Sequence, residues 1–267
     1  MILINSGVTS TSFGTGRSIS ANSEVTKEYV ALPTFCLMVD ILGAGKYMCS
    51  PTNSIETFAK DTEFLFSTAF DGFNVAGNFE NNPRLGKTKS MRISDTFVMW
   101  AHSCNSEKEK TSDPTLENDA LEYLIMAGHH LMTRGFEKKF AFRGAITYGQ
   151  CIQDISSNAI IGEPWVYANK LEKCQEWSGI TIHSTAANKL TEEMKSGELI
   201  TKYLVPFKGN QNRLEEWVVD WREWAKREDI CNTFDSIPLS QNVGNNIKKN
   251  NTLSFFDKWT SPKRFQP

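Results

Sequence analysis

Two aspartates raise the first chemical question. Asp40 interrupts an apolar run, TFCLMVDIL, that otherwise reads as a buried strand. Asp95 stands between two apolar arms in KSMRISDTFVMWA, where Ser94 and Asp95 read as the tip of a hairpin. A carboxylate at the end of a buried strand is costly without a partner, so each calls for a cation, a donor or a capping role. Two carboxylates brought together would suit a hard divalent ion, which prefers oxygen ligands. The ordinary alternatives are a turn residue for Asp95 and a local cap for Asp40.

The glycine-rich GAGK after Asp40 is not a P-loop. That motif needs Gly five residues before the second Gly and Ser or Thr after Lys; here Asp40 and Tyr47 stand there. A dinucleotide fingerprint fails too, because Met48 occupies the third glycine position. Backbone N–H groups in such a turn can still face an anion. Cys36, Cys49, Cys104, Cys151, Cys174 and Cys231 include no CxxC pair, which fits reduced thiols in a cytoplasmic protein. His129 and His130 are adjacent and would point about 100° apart on a helix, so they do not form a shared ligand pair.

These residues need a scaffold. Residues 34–42 read as a central strand, 54–71 as an amphipathic helix and 89–101 as the hairpin. A helix over 114–136 starts at Pro114, and a strand over 140–148 ends at Gly149. The short segment NAIIG follows. A helix over 164–177, a strand over 180–183, a helical turn over 184–190 and closing strands at 203–208 and 217–221 complete the order. Helices alternating with strands and hairpins predict an α+β, ferredoxin-like domain with a mixed or antiparallel sheet and helices packed on it. Residues 1–32 are expected to form a flexible arm, 33–221 the catalytic domain and 222–267 a loosely attached polar tail.

With 267 residues, 40% hydrophobic and 22% charged, the chain can bury a substantial core. A net charge of −2 offers no general attraction for nucleic acid or a membrane surface. Apolar runs of roughly ten residues are too short to span a bilayer, and the N-terminus lacks a signal-peptide pattern.

The strand ending in Asp40-Ile41, the following helix and the hairpin with Asp95 resemble the class III nucleotide cyclase domain. FRGAITYG at 142–149 is similar to a family strand with Arg and Gly-Ile. IIGEPWVYANKLEKCQEWSGITIHSTA is similar to its helix with a Leu-Glu pair and its final strand, and VPFKGN to its late Lys-Gly hairpin. The resemblance covers about residues 33–221 in one colinear order. It implies that Asp40, the Ile41 carbonyl and Asp95 hold two divalent ions, Mn²⁺ or Mg²⁺. It also implies that Lys208 contacts the triphosphate and that two chains form a homodimer with composite sites.

The departures are specific. The family's transition-state Asn falls on Val166 and its Arg on Lys170, with Asn169 a possible substitute for the Asn. The base-reading positions fall on Met91, with Arg92 beside it, and near Ala159, which match neither purine code. Ala44 and Tyr47, in the turn after Asp40, are candidate substrate contacts alongside Arg92. The short, single-domain pattern resembles the bacterial pyrimidine cyclases of Pycsar antiphage defence. That resemblance implies UTP converted to cyclic UMP, or CTP to cyclic CMP, with the product acting on a separate effector. Arg92 can only donate hydrogen bonds, which favours uracil over cytosine if it reaches the far edge of the base. Val166 leaves open a catalytically silent nucleotide-binding domain.

Overall fold

The computed structural model describes residues 30–48, 54–75, 88–104, 112–154, 159–209, 214–237 and 243–258. Of the expected arm over 1–32, residues 1–29 lie outside the described residues, whereas Ala31 and Leu32 already pair in the sheet, opposite Ile152 and Cys151; most of the polar stretches 77–88 and 104–113, which read as loops, also lies outside.

The first four main strands are β1 (Ala31–Ile41), β2 (Thr88–Ile93), β3 (Thr96–His102) and β4 (Phe142–Asp154). They alternate with a short α1 (Ala44–Met48) and the long helices α2 (Ile55–Val75) and α3 (Pro114–Glu137). The strands lie side by side as β2-β3-β1-β4, and each neighbouring pair is antiparallel. This is the split βαββαβ arrangement of a ferredoxin-like unit. The chain continues with β5 (Ala159–Gly162), α4 (Glu163–Cys174), β6 (Gly179–Ile182), α5 (Ser184–Ala187) and α6 (Glu192–Ser196). It ends with β7 (Ile200–Val205), β8 (Leu214–Val219), α7 (Arg227–Ser236) and α8 (Val243–Asp257). β6 runs parallel to β4, then β8 and β7 extend the sheet antiparallel; β5 folds back on β4. The expected α+β class and mixed sheet are what the chain forms.

Alternation along β1 sorts its side chains between two faces. Phe35, Leu37, Val39 and Ile41 join the main core with Phe58, Leu65 and Phe66 of α2 and Leu121 and Leu124 of α3. Cys36 and Met38 face the other way, against Val98, Trp100, Met91 and Trp165. Asp40 continues this second row. α3 begins where the proline predicts, with the Asp113 side chain accepting from the Thr115 N–H at 2.8 Å.

Three expectations need correction. β4 runs through Gly149 to Asp154 because β5 pairs with its second half. Gly149 serves a close passage instead: a Cβ there would lie 2.9 Å from the Glu163 carboxylate and 3.0 Å from its Cβ. α4 stops at Cys174, not 177, because Gln175 turns its amide inward. There it donates to the Gly144 carbonyl at 2.9 Å and accepts from Trp177 Nε1 at 2.8 Å.

The third correction is the expected loose tail. α7 and α8 are packed elements, with Phe255 fully buried among Trp177, Tyr203 and Trp221 at ring separations of 5.0, 4.6 and 5.3 Å. Thr252 accepts from the Ser178 N–H at 2.9 Å, and Arg227 of α7 pairs with Asp257 of α8. The polar composition is that of helices whose outer faces are solvated. A few inward positions suffice, since burying one Phe contributes about 1.5–3 kcal/mol.

Candidate functional site

The hairpin turn and the end of β1 meet. The β1–β3 ladder ends with Asp40 opposite Thr96, and the next residue, Ile41, donates its N–H to the Asp95 carbonyl at 3.2 Å. Ser94 takes a left-handed conformation, φ 59°, which closes the two-residue turn and sets Asp95 beside β1. Sheet register thus brings together two carboxylates that are 55 positions apart in the chain.

Asp40 accepts from Thr96 Oγ1 at 3.3 Å, and its side chain is 25% exposed. On β4, its cross-strand neighbour is Arg143. The Arg143 Nη2 lies 4.0 Å from Asp40 Oδ2, but this guanidinium is committed elsewhere. Its Nε donates to Glu172 Oε1 at 2.5 Å, and its Nη1 to the Gln175 carbonyl at 3.1 Å. Arg143 and Glu172 are both buried. Glu172 reaches them because Pro164, Ala168 and Glu172 form the buried i, i+4, i+8 stripe of α4.

The result is a surplus of negative charge. Burial, then Glu172, then Asp95 push the Asp40 carboxyl up to about 7, against the opposing pull of Arg143 and Thr96. A bound cation would reverse that balance. The donor set fits a hard divalent ion: two carboxylates and the adjoining Ile41 carbonyl, all oxygen. No group of three or more His, Cys, Asp or Glu side chains among the described residues is arranged to hold a metal, so a site here depends on these few donors.

The other sequence candidates divide by location. Lys170 is exposed on α4, and so is Val166 one turn earlier, at 49%. Lys208 is exposed in the turn after β7, where its N–H bonds the Cys174 carbonyl at 2.7 Å and ties that turn to the end of α4. The two lysines therefore belong to neighbouring segments.

Arg92 and Tyr47 are not brought to Asp40. Arg92 pairs across the hairpin with Phe97, a core residue on the α2 side. Its guanidinium donates to the Ser94 carbonyl at 3.2 Å and the Ala59 carbonyl at 3.4 Å, 6.0 Å from the Phe66 ring. Met91, one residue earlier, pairs with Val98 and shares the face of Asp40. Tyr47 packs 5.4 Å from the Phe58 ring on the α2 side, and the Ala44 side chain is buried in the same core. The side chain of Ala159 lies outside the described residues.

Within the sequence motifs nothing by itself singles out Arg143 or Glu172 as site residues. Their signal was available: an arginine flanked by apolar residues in FRGAI, and a glutamate in register with the buried stripe of α4.

No protein-family model matches the chain, and no curated protein sequence matches it. Among solved structures, it is similar to the adenylyl cyclase CyaB from P. aeruginosa. That match has 15% identity, covers 73% of this chain and 96% of that one, and has a TM-score of 0.45. It is also similar to the catalytic core of a rhodopsin-guanylyl cyclase with converted specificity, in complex with ATPαS. There the identity is 11%, the coverage 72% and 97%, and the TM-score 0.45. The guanylyl cyclase Cya2 is similar at 14% identity, with 71% and 92% coverage and a TM-score of 0.43.

Proposed function

We propose that the chain is a metal-dependent nucleotide cyclase of class III type. In this reading it converts a pyrimidine triphosphate, UTP or CTP, to the 3′,5′-cyclic monophosphate and pyrophosphate. The observation that carries the proposal is the pairing of Asp40 with Asp95 at one end of the sheet, in a setting with too much negative charge. A structural carboxylate gains nothing from that setting, whereas a metal ligand does.

Asp40, Asp95 and the Ile41 carbonyl would hold two ions, Mn²⁺ or Mg²⁺. Such ions neutralise the triphosphate and lower the pKa of the ribose 3′-hydroxyl. The 3′-oxygen attacks the α-phosphorus, the bond from that phosphorus to the β-phosphate bridge breaks, and the hydroxyl proton passes to solvent. Arg143 holds Glu172 and offsets part of the charge on Asp40. Lys208 and Lys170 would take up charge on the departing pyrophosphate. The class III resemblance implies a homodimer with composite sites, in which the lysine pair of one chain would face the aspartates of its partner. Mixing Asp40→Ala chains with Lys208→Ala chains should then restore part of the activity; verified heterodimers without recovery would sink the shared site.

The pyrimidine reading rests on the face of Asp40. The position resembling the family's base reader is Met91, which offers no strong hydrogen bond to a purine edge. With Arg92 turned to α2, its argument for uracil over cytosine lapses; the Pycsar resemblance covers UTP and CTP alike, and turnover decides between them. That resemblance also assigns the product to a separate effector in antiphage defence, in the cytoplasm. No described helix is long and apolar enough to cross a membrane.

The test is a competition among UTP, CTP, ATP and GTP with Mn²⁺, following pyrophosphate and cyclic product. Discrimination by apolar contact gives a pyrimidine preference of roughly 10–200-fold. Arg92→Ala should leave the ratio of UTP to CTP turnover unchanged. Preferred ATP or GTP would overturn the pyrimidine reading. Nucleotide binding without turnover would show the silent domain that Val166 leaves open.

A further inference from the structure

Resting on the proposed reading of Asp40, we infer that Ile237, at the end of α7, is a positioning residue for the metal-binding turn. The C-terminal segment thereby becomes part of the active-site machinery.

The turn Leu42–Gly43 leaves the site immediately after Ile41. On one side it is fixed by the sheet: Leu42 N–H donates to the Ala141 carbonyl at 2.9 Å, and Ile41 N–H to Asp95. Gly43 has φ +82°, and its carbonyl accepts the Tyr47 N–H at 3.0 Å, which starts α1. On the other side the turn meets Ile237. A Cβ built on Gly43 would lie 2.6 Å from Ile237 Cγ2, so the bare glycine allows the isoleucine to press directly on the backbone.

Beside this contact is a cavity of about 210 Å³, lined by Leu42, Tyr47, Asp61, Lys139 and Ile237 among others. The space matters: without the Ile237 side chain, the turn has room to shift away from the sheet. Ile237 is itself held firmly. It is buried, and α7 is anchored by Ile230 and Phe234 in the core and by Thr233 Oγ1, which donates to the Phe136 carbonyl at 3.2 Å. A large apolar side chain on a rigid helix end thus closes the one side of the turn that hydrogen bonds leave open.

The experiment uses the full chain as wild type, Ile237→Ala, Ile237→Val, Ile237→Leu and Asp40→Ala. Three quantities are read: amide hydrogen exchange in the metal-free protein, free Mn²⁺ by electron paramagnetic resonance, and the Mn²⁺ half-saturation of turnover. Ile237→Ala should speed exchange at residues 41–47 by roughly tenfold while leaving α4 protected. It should weaken Mn²⁺ binding by about 10–100-fold, as loss of an outer-shell support does. Ile237→Val, which keeps the β-branch against Gly43, should restore most of both. Unchanged exchange at 41–47 in a folded Ile237→Ala protein would overturn the inference. If Ile237→Ala does not fold, Ile237→Leu decides, because it keeps the apolar volume but withdraws the Cγ2 that meets Gly43: exchange at 41–47 and Mn²⁺ binding both identical to wild type would overturn the inference, and faster local exchange with weaker Mn²⁺ binding would support it. The Asp40→Ala arm separates the two levels. Equal Mn²⁺ binding by wild type and Asp40→Ala would overturn the metal reading itself, whatever Ile237 does.

Discussion

Asp40→Asn is expected to abolish cyclisation and, in the same preparation, to raise the melting temperature of the metal-free protein. The first effect follows from the metal assignment. Metal-ion stabilisation is worth several kcal/mol, so loss of one ligand should cost on the order of 10³-fold or more in turnover. The second follows from the surroundings. The substituted amide would keep an acceptor for Thr96 while removing a charge that Glu172 and Asp95 disfavour. The folded protein holds the Asp40 proton more tightly than the unfolded chain, up to about 7 against an ordinary 3.8. The stability linked to that proton is therefore complete below about pH 4 and is lost as pH rises from there through 7. At pH 8 the wild type carries the full penalty, on the order of 1–3 kcal/mol after discounting for its partial exposure. That corresponds to a gain of a few degrees for the variant, roughly 2–4 °C per kcal/mol at this size. Melting curves in chelator between pH 4 and 8 give the check. Normal turnover by the variant would sink the metal role, and a lower melting temperature at pH 8 would sink the claim of surplus charge.

How far such a site can be read from sequence depends on which physical signal each residue sends. Asp40 is conspicuous because nothing else in its strand is charged, and Asp95 because a two-residue turn separates two apolar arms. Both were legible, as was the βαββαβ order, since each long element carries its own periodicity. Facing direction was less accessible. Once the turn is fixed at Ser94–Asp95, hairpin register pairs Met91 with Val98 and Arg92 with Phe97. Which of those rows shares a face with Asp40 depends on the β1–β3 register, a long-range choice that local pattern does not encode. Arg92 is therefore conspicuous by its chemistry, while the register turns it toward α2. Tyr47 is similar: five residues of α1 carry too little periodicity to show that its ring packs against the core beside Phe58. The C-terminal helices were hidden by composition, because Phe255, Thr252, Phe234 and Ile230 are thinly spread among solvated Asn, Lys and Asp. Ile237 gave no chemical signal at all. Its importance lies in what it touches.

The second large effect is expected at the buried pair under α4. Arg143→Met should destabilise the protein by about 3–5 kcal/mol, because Glu172 would then be buried, charged and without its cation, next to Asp40. At this chain size that is a fall on the order of 10 °C in melting temperature. Glu172→Leu in the same chain removes the orphaned charge, and apolar replacement of a whole buried pair is often neutral or stabilising. The double variant Arg143→Met/Glu172→Leu should therefore recover most of the lost stability. It should not recover turnover. Arg143 lies 4.0 Å from Asp40 and offsets part of its charge, so the recovered fold would present a carboxylate pair without that counter-charge or its fixed neighbour. Stability and activity would then separate in a double-mutant cycle, with strong coupling in the first and little in the second. Wild-type stability in Arg143→Met would show that the pair does not hold α4 to the sheet. Full turnover in the double variant would reduce Arg143 to a packing residue and leave Asp40 and Asp95 to account for the metal chemistry.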